Sequence, residues 1–159
     1  MRANGWDLYF HPLLIGQLQK LADAFSRAKR KDPDGYGSNA NVKLLAAVSR
    51  LLLATVPLDP AAPQYRQGKT LGGGYTHWFR AKFGGRFRLF FRYDSRSKII
   101  VYAWMNDESG QRKAGDKGDP YAVFKKMLDN DNPPDGWAEL LKACESLPED
   151  LHRIFRGDG

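Results

Sequence analysis

The sequence lacks the residues that hold disulfide-rich proteins and metalloproteins together. Its single cysteine, Cys144, excludes a framework of internal disulfides, and we expect it to be an apolar helix residue in a reducing cytoplasm. The three histidines are scattered and no cysteines cluster near them, so we predict no metal site and no cofactor. No apolar run approaches the length of a membrane span and no secretory signal pattern opens the chain, which favours a cytoplasmic protein without membrane contacts.

Acidic residues are absent from positions 60 to 93, although this segment carries seven of the 25 basic residues. The whole chain has 18 acidic residues, so the remainder is electrically balanced and the net charge of +7 belongs to this one segment. A basic segment in an otherwise neutral protein is typical of proteins that bind nucleic acid or another polyanion.

The basic segment alternates between charged and apolar residues. From Trp78 to Tyr93 it reads W-F-R-A-K-F-G-G-R-F-R-L-F-F-R-Y. Two runs with a period of two flank Gly84 and Gly85, and both glycines can adopt the positive φ of a tight hairpin. Pairing the runs predicts a sheet with apolar side chains on one face. The other face would carry five cations: Arg80, Lys82, Arg86, Arg88 and Arg92.

An ordinary half-buried sheet also shows such alternation, with its polar side chains merely solvated. A solvated face usually mixes both charge signs with Ser, Thr and Gln, because like charges opposite each other on paired strands are destabilising. Here the polar positions are almost all Arg and Lys. We therefore favour a functional surface that binds a polyanion.

Helical and strand patterns surround the basic segment. Apolar residues at helical spacing predict a first helix from about Pro12 to Arg30 and a second from an N-cap at Ser38 to about Thr55, joined as a helical hairpin. A short strand is expected over 4–10, and a strand over 98–105 is apolar on both faces, as an interior strand would be. After a polar loop over 106–118, Asp119 is expected to cap a helix over 120–128, and another helix starts at 133–135.

These elements predict one α+β domain over residues 1–159. Its N-terminal helical hairpin would pack on a twisted antiparallel sheet of about four strands, with helices at the C-terminal end. A chain of 159 residues is long enough to bury such a core. The tail beyond about residue 148 is expected to be a frayed helix or disordered.

Five segments in order resemble the YhaV family of bacterial toxins, a branch of the RelE superfamily of toxin ribonucleases. They read N-G-W-D-L-Y-F-H-P, K-F-G-G-R-F-R-L-F-F-R-Y, W-M-N-D-E, D-P-Y-A-V-F-K-K-M-L and N-P-P-D-G-W, and they span most of residues 4–145. The resemblance implies a RelE-like fold and an mRNA interferase of a type II toxin–antitoxin system. It also implies a PrlF-type antitoxin as partner and operator DNA bound through that antitoxin, and it leaves the ribosome open as a further partner.

Metal-independent RNA cleavage uses the ribose 2′-hydroxyl as nucleophile on the adjacent phosphate and leaves a 2′,3′-cyclic phosphate and a 5′-hydroxyl. The reaction needs a base, an acid and a cation that stabilises charge on the phosphorane. By resemblance, Arg80 and Lys82 occupy the positions of a sheet lysine in the superfamily. Arg88 occupies that of a catalytic arginine and Tyr121 that of a tyrosine on the last helix. Tyr121 would orient the substrate, stack on a base or relay a proton, unless it only packs on the sheet.

A second superfamily arginine, directly after the last strand, has no match here. The chain instead reads Asn106-Asp107-Glu108, and the next basic residue is Arg112. Either Arg112 reaches back from the loop, or a carboxylate such as Glu108 serves as the base. Lys82 is another candidate base, whereas arginine is not because it stays protonated. His77 is a weaker acid–base candidate, since it lies in a glycine-bearing loop without a second histidine nearby.

Arg86, Arg92 and Lys125 complete the predicted site as RNA-binding residues. The alternative function is a non-catalytic nucleic-acid-binding module, such as a transcriptional regulator, that uses the same basic sheet face. Both functions predict binding that weakens with salt. Only the ribonuclease predicts new RNA ends.

Overall fold

The computed structural model describes residues 1–107 and 118–157. Within these ranges the main elements follow each other in the order β1 (Arg2–Ala3), β2 (Trp6–Phe10), α1 (Pro12–Lys31), α2 (Ala40–Arg50), α3 (Val56–Leu58), β3 (Phe79–Phe83), β4 (Phe87–Asp94), β5 (Ile99–Met105), α4 (Pro120–Asp129), α5 (Trp137–Ala143) and α6 (Glu149–Phe155). The helix and strand types agree with the alternating and helical patterns of the sequence, and the element bounds differ by a few residues.

The strands of the described residues form one mixed sheet of five strands, in the order β1-β2-β5-β4-β3. β4 runs antiparallel to both β3 and β5, as predicted. The prediction of a purely antiparallel sheet of about four strands is wrong, because β2 runs parallel to β5 and β1 adds an edge strand. Parallel neighbours require a long connection, and the chain between Phe10 and Ile99 provides it.

One face of the sheet packs against the N-terminal helices. Leu14 and Leu18 of α1 are fully buried, as are Val48 and Leu52 of the second helical stretch. They share a core cluster with sheet residues that alternate along their strands: Leu8 and Phe10 on β2, Ala81 on β3, Leu89 and Phe91 on β4, and Ile100 and Tyr102 on β5. This arrangement confirms the helical hairpin and its packing on the sheet.

The second helix of the hairpin begins one residue later and ends three residues later than predicted. Its N-cap is Asn39 rather than Ser38, and the Asn39 side chain accepts a hydrogen bond from the backbone N–H of Asn41 at 2.9 Å. Beyond Arg50 the chain continues through a π-helical turn, Leu51–Thr55, into α3. The cap shifts because Ser38 belongs to a separate 3-10 turn, Tyr36–Ser38.

By length and composition alone, the stretch Ala40–Leu58 could cross a membrane, a weak criterion that core helices of soluble proteins also meet. Lys43 and Arg50 interrupt the stretch, so the sequence contains no continuous apolar run of this length. Its apolar stripe is buried at Leu45, Val48, Leu52 and Val56. That stripe packs within the cluster that α1 and the sheet form.

The other face of the sheet is covered by α4, α5 and the loop before β3. Its core cluster contains Leu71, Trp78, Phe90, Val101, Ala103, Tyr121, Phe124, Leu128 and Leu140. Because β5 contributes to both clusters, it is an interior strand buried on both faces, as its apolar sequence predicts. α4 begins directly after Asp119 as predicted, while α5 begins at Trp137, later than the predicted 133–135.

The tail beyond residue 148 is a helix that docks on the domain. α6 spans Glu149–Phe155, and its Leu151 is fully buried in the cluster beside α1. The tail is therefore neither frayed nor disordered up to Phe155. The docking is not evident from the sequence, because a helix of seven residues with one buried leucine carries little periodic signal.

Candidate nucleic-acid interface and active site

The β3–β4 hairpin places the predicted cations. Gly84 and Gly85 have φ angles of +55° and +79°, which confirms the hairpin turn that the two glycines predict. Phe83 pairs with Phe87, so the turn has three residues and includes Arg86. Arg86 is exposed in this turn, and its predicted place on the strand face is wrong because the extra turn residue removes it from β4.

The remaining four cations, Arg80, Lys82, Arg88 and Arg92, lie on one face of the hairpin, here called the basic face. Lys82 pairs directly with Arg88, and Arg80 pairs with Phe90. Phe90 shares this face and stacks on Phe124 of α4, with ring centroids 4.3 Å apart. The basic face is therefore not an open cationic surface, because α4 covers its middle.

Two arginines of the basic face meet at the hydroxyl of Tyr121. The Nε atom of Arg80 donates to that oxygen at 2.9 Å, and the Nε atom of Arg88 donates to it at 3.2 Å. The ring of Tyr121 is buried and packs edge-on against Phe90 at 5.6 Å between centroids. We call Arg80, Lys82, Arg88 and Tyr121 the Tyr121 cluster.

Both arginines are fixed by the same bonding pattern. Nη1 of Arg80 donates to the carbonyl oxygens of Gln64 and Arg66 at 2.8 and 2.9 Å. Nη1 of Arg88 donates to the carbonyls of Gly85 and Phe87, each at 3.0 Å. Three of the five N–H groups of each guanidinium are thus used within the protein.

The Nη2 atoms of the two arginines are the groups that can meet a ligand. Every buried side-chain nitrogen or oxygen of the described residues has a hydrogen-bond partner. No partner of either Nη2 atom lies within residues 1–107 and 118–157, so both atoms reach the surface. Each guanidinium therefore presents two N–H groups from a position that the protein has already fixed.

The three cations of the Tyr121 cluster have no carboxylate partner among the described residues. Lys82 is exposed, Arg80 is half-buried and Arg88 is only 7% exposed. Among the described residues, none of the three forms an ion pair with Asp or Glu. Like charges on paired strands repel, so an anion that bridges them would relieve this repulsion. The electrostatics of the cluster suit a phosphate.

Arg92 has different surroundings. Its guanidinium carbon lies 5.5 Å from the ring centroid of Trp78 and 5.3 Å from that of Trp137, and Nη1 donates to the carbonyl of Asp135. Burial lowers the pKa of Arg92 from its ordinary value, while Asp135 raises it. The structure thus places Arg92 in the packing between the sheet and the start of α5, away from the Tyr121 cluster.

His77 groups with this second set of residues. Its Nε2 atom lies 2.6 Å from Oδ1 of Asp135, and the indole N–H of Trp78 donates to the same oxygen at 2.8 Å. No partner for His77 is evident from the sequence, because Asp135 follows 58 residues later. Only the folded chain shows this pair.

The comparisons with known proteins agree with the geometry. A family described as a toxin with endonuclease activity, of a toxin–antitoxin system, matches residues 8–145. The chain belongs to the YhaV toxin family. Its relatives include the ribonuclease toxin YhaV of Escherichia coli K12 and the toxins YhaV of strains O157:H7 and O6:H1. Each is 43% identical over 146 residues, which cover 91% of this chain and 95% of the relative.

Membership of the YhaV family confirms the resemblance seen in the sequence. Because the family is described by its endonuclease activity, it also decides for the enzyme over the non-catalytic nucleic-acid-binding module. No solved structure matches this chain significantly, so the RelE-like fold stays a prediction.

The structure brings together only part of the site predicted for this YhaV-family chain. Arg80, Arg88 and Tyr121 are joined by hydrogen bonds, and Lys82 is the cross-strand neighbour of Arg88. Glu108 and Arg112 lie outside the described residues. Among the residues described, no group of three His, Cys, Asp or Glu side chains could hold a metal ion.

Lys125 lies one turn along α4 from Tyr121 and is exposed. Its Nζ atom forms an ion pair with Oδ2 of Asp129 at 2.9 Å. Oδ1 of Asp129 accepts the hydroxyl of Tyr75 at 2.7 Å, which raises the pKa of Tyr75 to about 12. An exposed i,i+4 ion pair is weak and leaves Lys125 able to exchange partners with a phosphate.

One polar residue near the cluster was not among the predicted site residues. Asn106 is buried directly after β5, and its Oδ1 atom accepts the backbone N–H of Arg88 at 2.6 Å. The sequence around Asn106 predicts only the start of a polar loop. The one feature of the sequence that could have identified Asn106 as a site residue is its position directly after an interior strand.

Proposed function

We propose that this chain is the ribonuclease toxin of a type II toxin–antitoxin pair and that it cleaves RNA at the Tyr121 cluster without a metal ion. The observation that carries the proposal is the meeting of Arg80 and Arg88 at the Tyr121 hydroxyl, with both Nη2 atoms reaching the surface. The name of the Escherichia coli K12 relative, a ribonuclease toxin, supports RNA as the substrate.

In the proposed reaction, the 2′-oxygen of a ribose bonds to the adjacent phosphorus and the bond from phosphorus to the 5′-oxygen breaks. The proton of the 2′-hydroxyl passes to a base, and the 5′-oxygen receives a proton from an acid. Negative charge grows on the non-bridging oxygens as the phosphorane forms. The Nη2 groups of Arg80 and Arg88 suit this charge because they are already fixed, so they need no reorganisation during the reaction.

Tyr121 fits the role of a proton donor. A hydroxyl oxygen offers two acceptor positions and one proton, and the two Nε atoms occupy both acceptor positions. In the proposed reaction Tyr121 acts as a donor, to the leaving 5′-oxygen or to a phosphate oxygen. For the base, Lys82 and Glu108 are the candidates we retain, since arginine stays protonated.

The RNA chain would extend from the Tyr121 cluster along exposed cations. Arg86 lies in the hairpin turn beside the cluster, and Lys125 lies one turn along α4 from Tyr121. Arg92 is not part of this proposal, because its guanidinium lies between two indole rings.

The toxin–antitoxin family implies an antitoxin partner. From the resemblance, we propose that this partner is of the PrlF type, that the complex contacts operator DNA through the antitoxin, and that the toxin acts in the cytoplasm on free or ribosome-bound RNA. Charge complementarity with the basic face would mainly speed association of the antitoxin.

The decisive experiment incubates the purified protein with RNA in EDTA and maps the new termini. We expect cleavage to persist and to leave 2′,3′-cyclic phosphate and 5′-hydroxyl ends. Products with 5′-phosphate ends that disappear in EDTA would overturn metal independence and the 2′-hydroxyl attack.

A Tyr121→Phe variant tests the site in the same assay. It keeps the ring that packs against Phe90 and removes the hydroxyl that both arginines share. A lost proton donor lowers the rate by about 10²-fold or more. Full activity of Tyr121→Phe would place the chemistry elsewhere.

A further inference from the structure

A buried amide side chain joins β5 to the hairpin that carries Arg88. Asn106 is 2% exposed and follows Met105, the last residue of β5. Its Oδ1 atom accepts the backbone N–H of Arg88 at 2.6 Å, and its Nδ2 atom donates to the carbonyl of Arg86 at 3.1 Å. One side chain therefore bonds the backbone on both sides of Phe87.

The Asn106 amide takes the place of strand backbone. The pairing of β4 with β5 ends at Leu89 and Met105. In an antiparallel ladder, the N–H of one residue and the carbonyl two positions earlier point to the same neighbouring strand. For the N–H of Arg88 and the carbonyl of Arg86 the neighbouring strand would be β5, which ends before it reaches them. A primary amide offers the same donor and acceptor as a peptide group, so Asn106 extends the ladder to Arg88.

The anchors of Arg88 explain why this extension matters. Its Nη1 atom bonds to the carbonyls of Gly85 and Phe87, which belong to its own turn and strand end. Within the described part of the chain, only Nε reaches another element, at Tyr121. The guanidinium therefore moves as a unit with the hairpin end, and the bonds of Asn106 hold that end against β5.

We infer that Asn106 is a positioning residue for catalysis, acting through Arg88. It holds the backbone from Arg86 to Arg88 so that Nη2 of Arg88 and Nη2 of Arg80 donate hydrogen bonds to the same phosphate. This inference rests on the proposed function of the Tyr121 cluster. A misplacement of about 1 Å in such a group costs about 10²-fold in rate.

Gln17 provides a matched control. From α1, its Nε2 atom donates to the carbonyl of Met105 at 2.5 Å, and its Oε1 atom accepts the Met105 N–H at 3.2 Å. It bonds to the last residue of β5, directly before Asn106, and among the described residues it makes no bond to the hairpin. Gln17→Ala therefore removes an equivalent pair of bonds and leaves Arg88 in place.

The test measures single-turnover RNA cleavage, KM and thermal unfolding of the wild type, Asn106→Ala, Asn106→Asp and Gln17→Ala. We expect Asn106→Ala to lower kcat by about 10²-fold with KM changed less than about threefold. Gln17→Ala should keep kcat within about threefold. Asn106→Asp keeps the acceptor for Arg88 and loses the donor to Arg86, so its rate should fall between the wild type and Asn106→Ala.

A double-mutant cycle with Arg88→Ala separates positioning from a general structural role. If Asn106 acts through Arg88, adding Asn106→Ala to Arg88→Ala changes the residual single-turnover rate by less than about threefold. An additive loss, or a folded Asn106→Ala with unchanged kcat, would overturn the inference. If Asn106→Ala does not fold, Asn106→Asp is compared with Gln17→Ala. A kcat of Asn106→Asp equal to that of Gln17→Ala overturns the inference, and a kcat below that of Gln17→Ala supports it. A wild-type protein that cleaves no RNA would instead refute the proposed function.

Discussion

The two ends of the basic face carry the same type of residue on the same strand in different surroundings. Arg88, at the hairpin end, bonds to a hydroxyl and two carbonyls and stands beside two other cations. Arg92 lies between two tryptophan rings, beside the carboxyl-bearing Asp135. Phe90 separates them under α4. The comparison shows that alternation determines which face a side chain occupies, whereas the element packed on that face determines what the side chain can do.

The largest expected effect is on the chemistry at the hairpin end. We predict that Arg88→Ala lowers the rate of RNA cleavage by about 10²–10³-fold, because a preorganised donor to the phosphorane is lost. The rate is measured in single-turnover cleavage, and folding is checked by thermal unfolding. The toxin should also stop arresting growth in cells.

Arg92→Ala is the matched control for that prediction, since it removes the same side chain from the same strand face. Its rate should stay within about threefold of the wild type if the protein is folded. Equal rate losses in the two variants, or growth arrest by Arg88→Ala at equal expression, would remove the distinction between the two ends.

The next largest expected effect is on the free energy of unfolding, at the Arg92 end of the basic face. Arg92→Ala removes two cation–π contacts and a charged hydrogen bond, so we predict that its free energy of unfolding falls by about 1–3 kcal/mol. Denaturant unfolding measures this change. Arg96→Ala, in the exposed turn after β4, removes the same charge and should change the free energy by no more than about 0.5 kcal/mol.

The smallest expected effect concerns Lys82, the exposed member of the Tyr121 cluster. If it contacts a phosphate, Lys82→Gln should lower the slope of log affinity against log salt concentration by about 0.7–1. Binding is measured with an RNA that carries 2′-deoxyribose at the cleavage site. Lys43→Gln, at an exposed position of α2, is the control and should leave the slope unchanged. An unchanged slope for Lys82→Gln would mean that RNA does not contact Lys82 at the hairpin end of the basic face.

Local patterns in the sequence were sufficient for much of the fold. The helix that begins at Pro12 ends at Lys31, one residue beyond the prediction. The turn at Gly84 and Gly85 and the interior position of the strand over 98–105 also followed from the pattern. Each of these features depends on residues close together in the chain, where spacing and backbone preference are readable.

The missed features depend on contacts between distant residues. The parallel pairing of Leu8 with Ile100 could not be read from either strand alone. The alternation that identified the basic face placed Arg92 and Arg88 together on one polyanion-binding surface, because nothing in the segment shows which helix covers which cation. Asn106 was missed for a similar reason, since its bonds reach back across about 20 residues to the hairpin end.

The shared hydroxyl at Tyr121 also has a consequence for synthesis of the toxin. Arg88 precedes Tyr121 by 33 residues. A growing chain that has left the ribosome only through β5 therefore contains both arginines but not their common acceptor. The arrangement that we propose as catalytic cannot form until α4 has emerged and folded back onto β3 and β4. The cell that makes this toxin therefore handles a chemically incomplete protein until most of the chain has been translated.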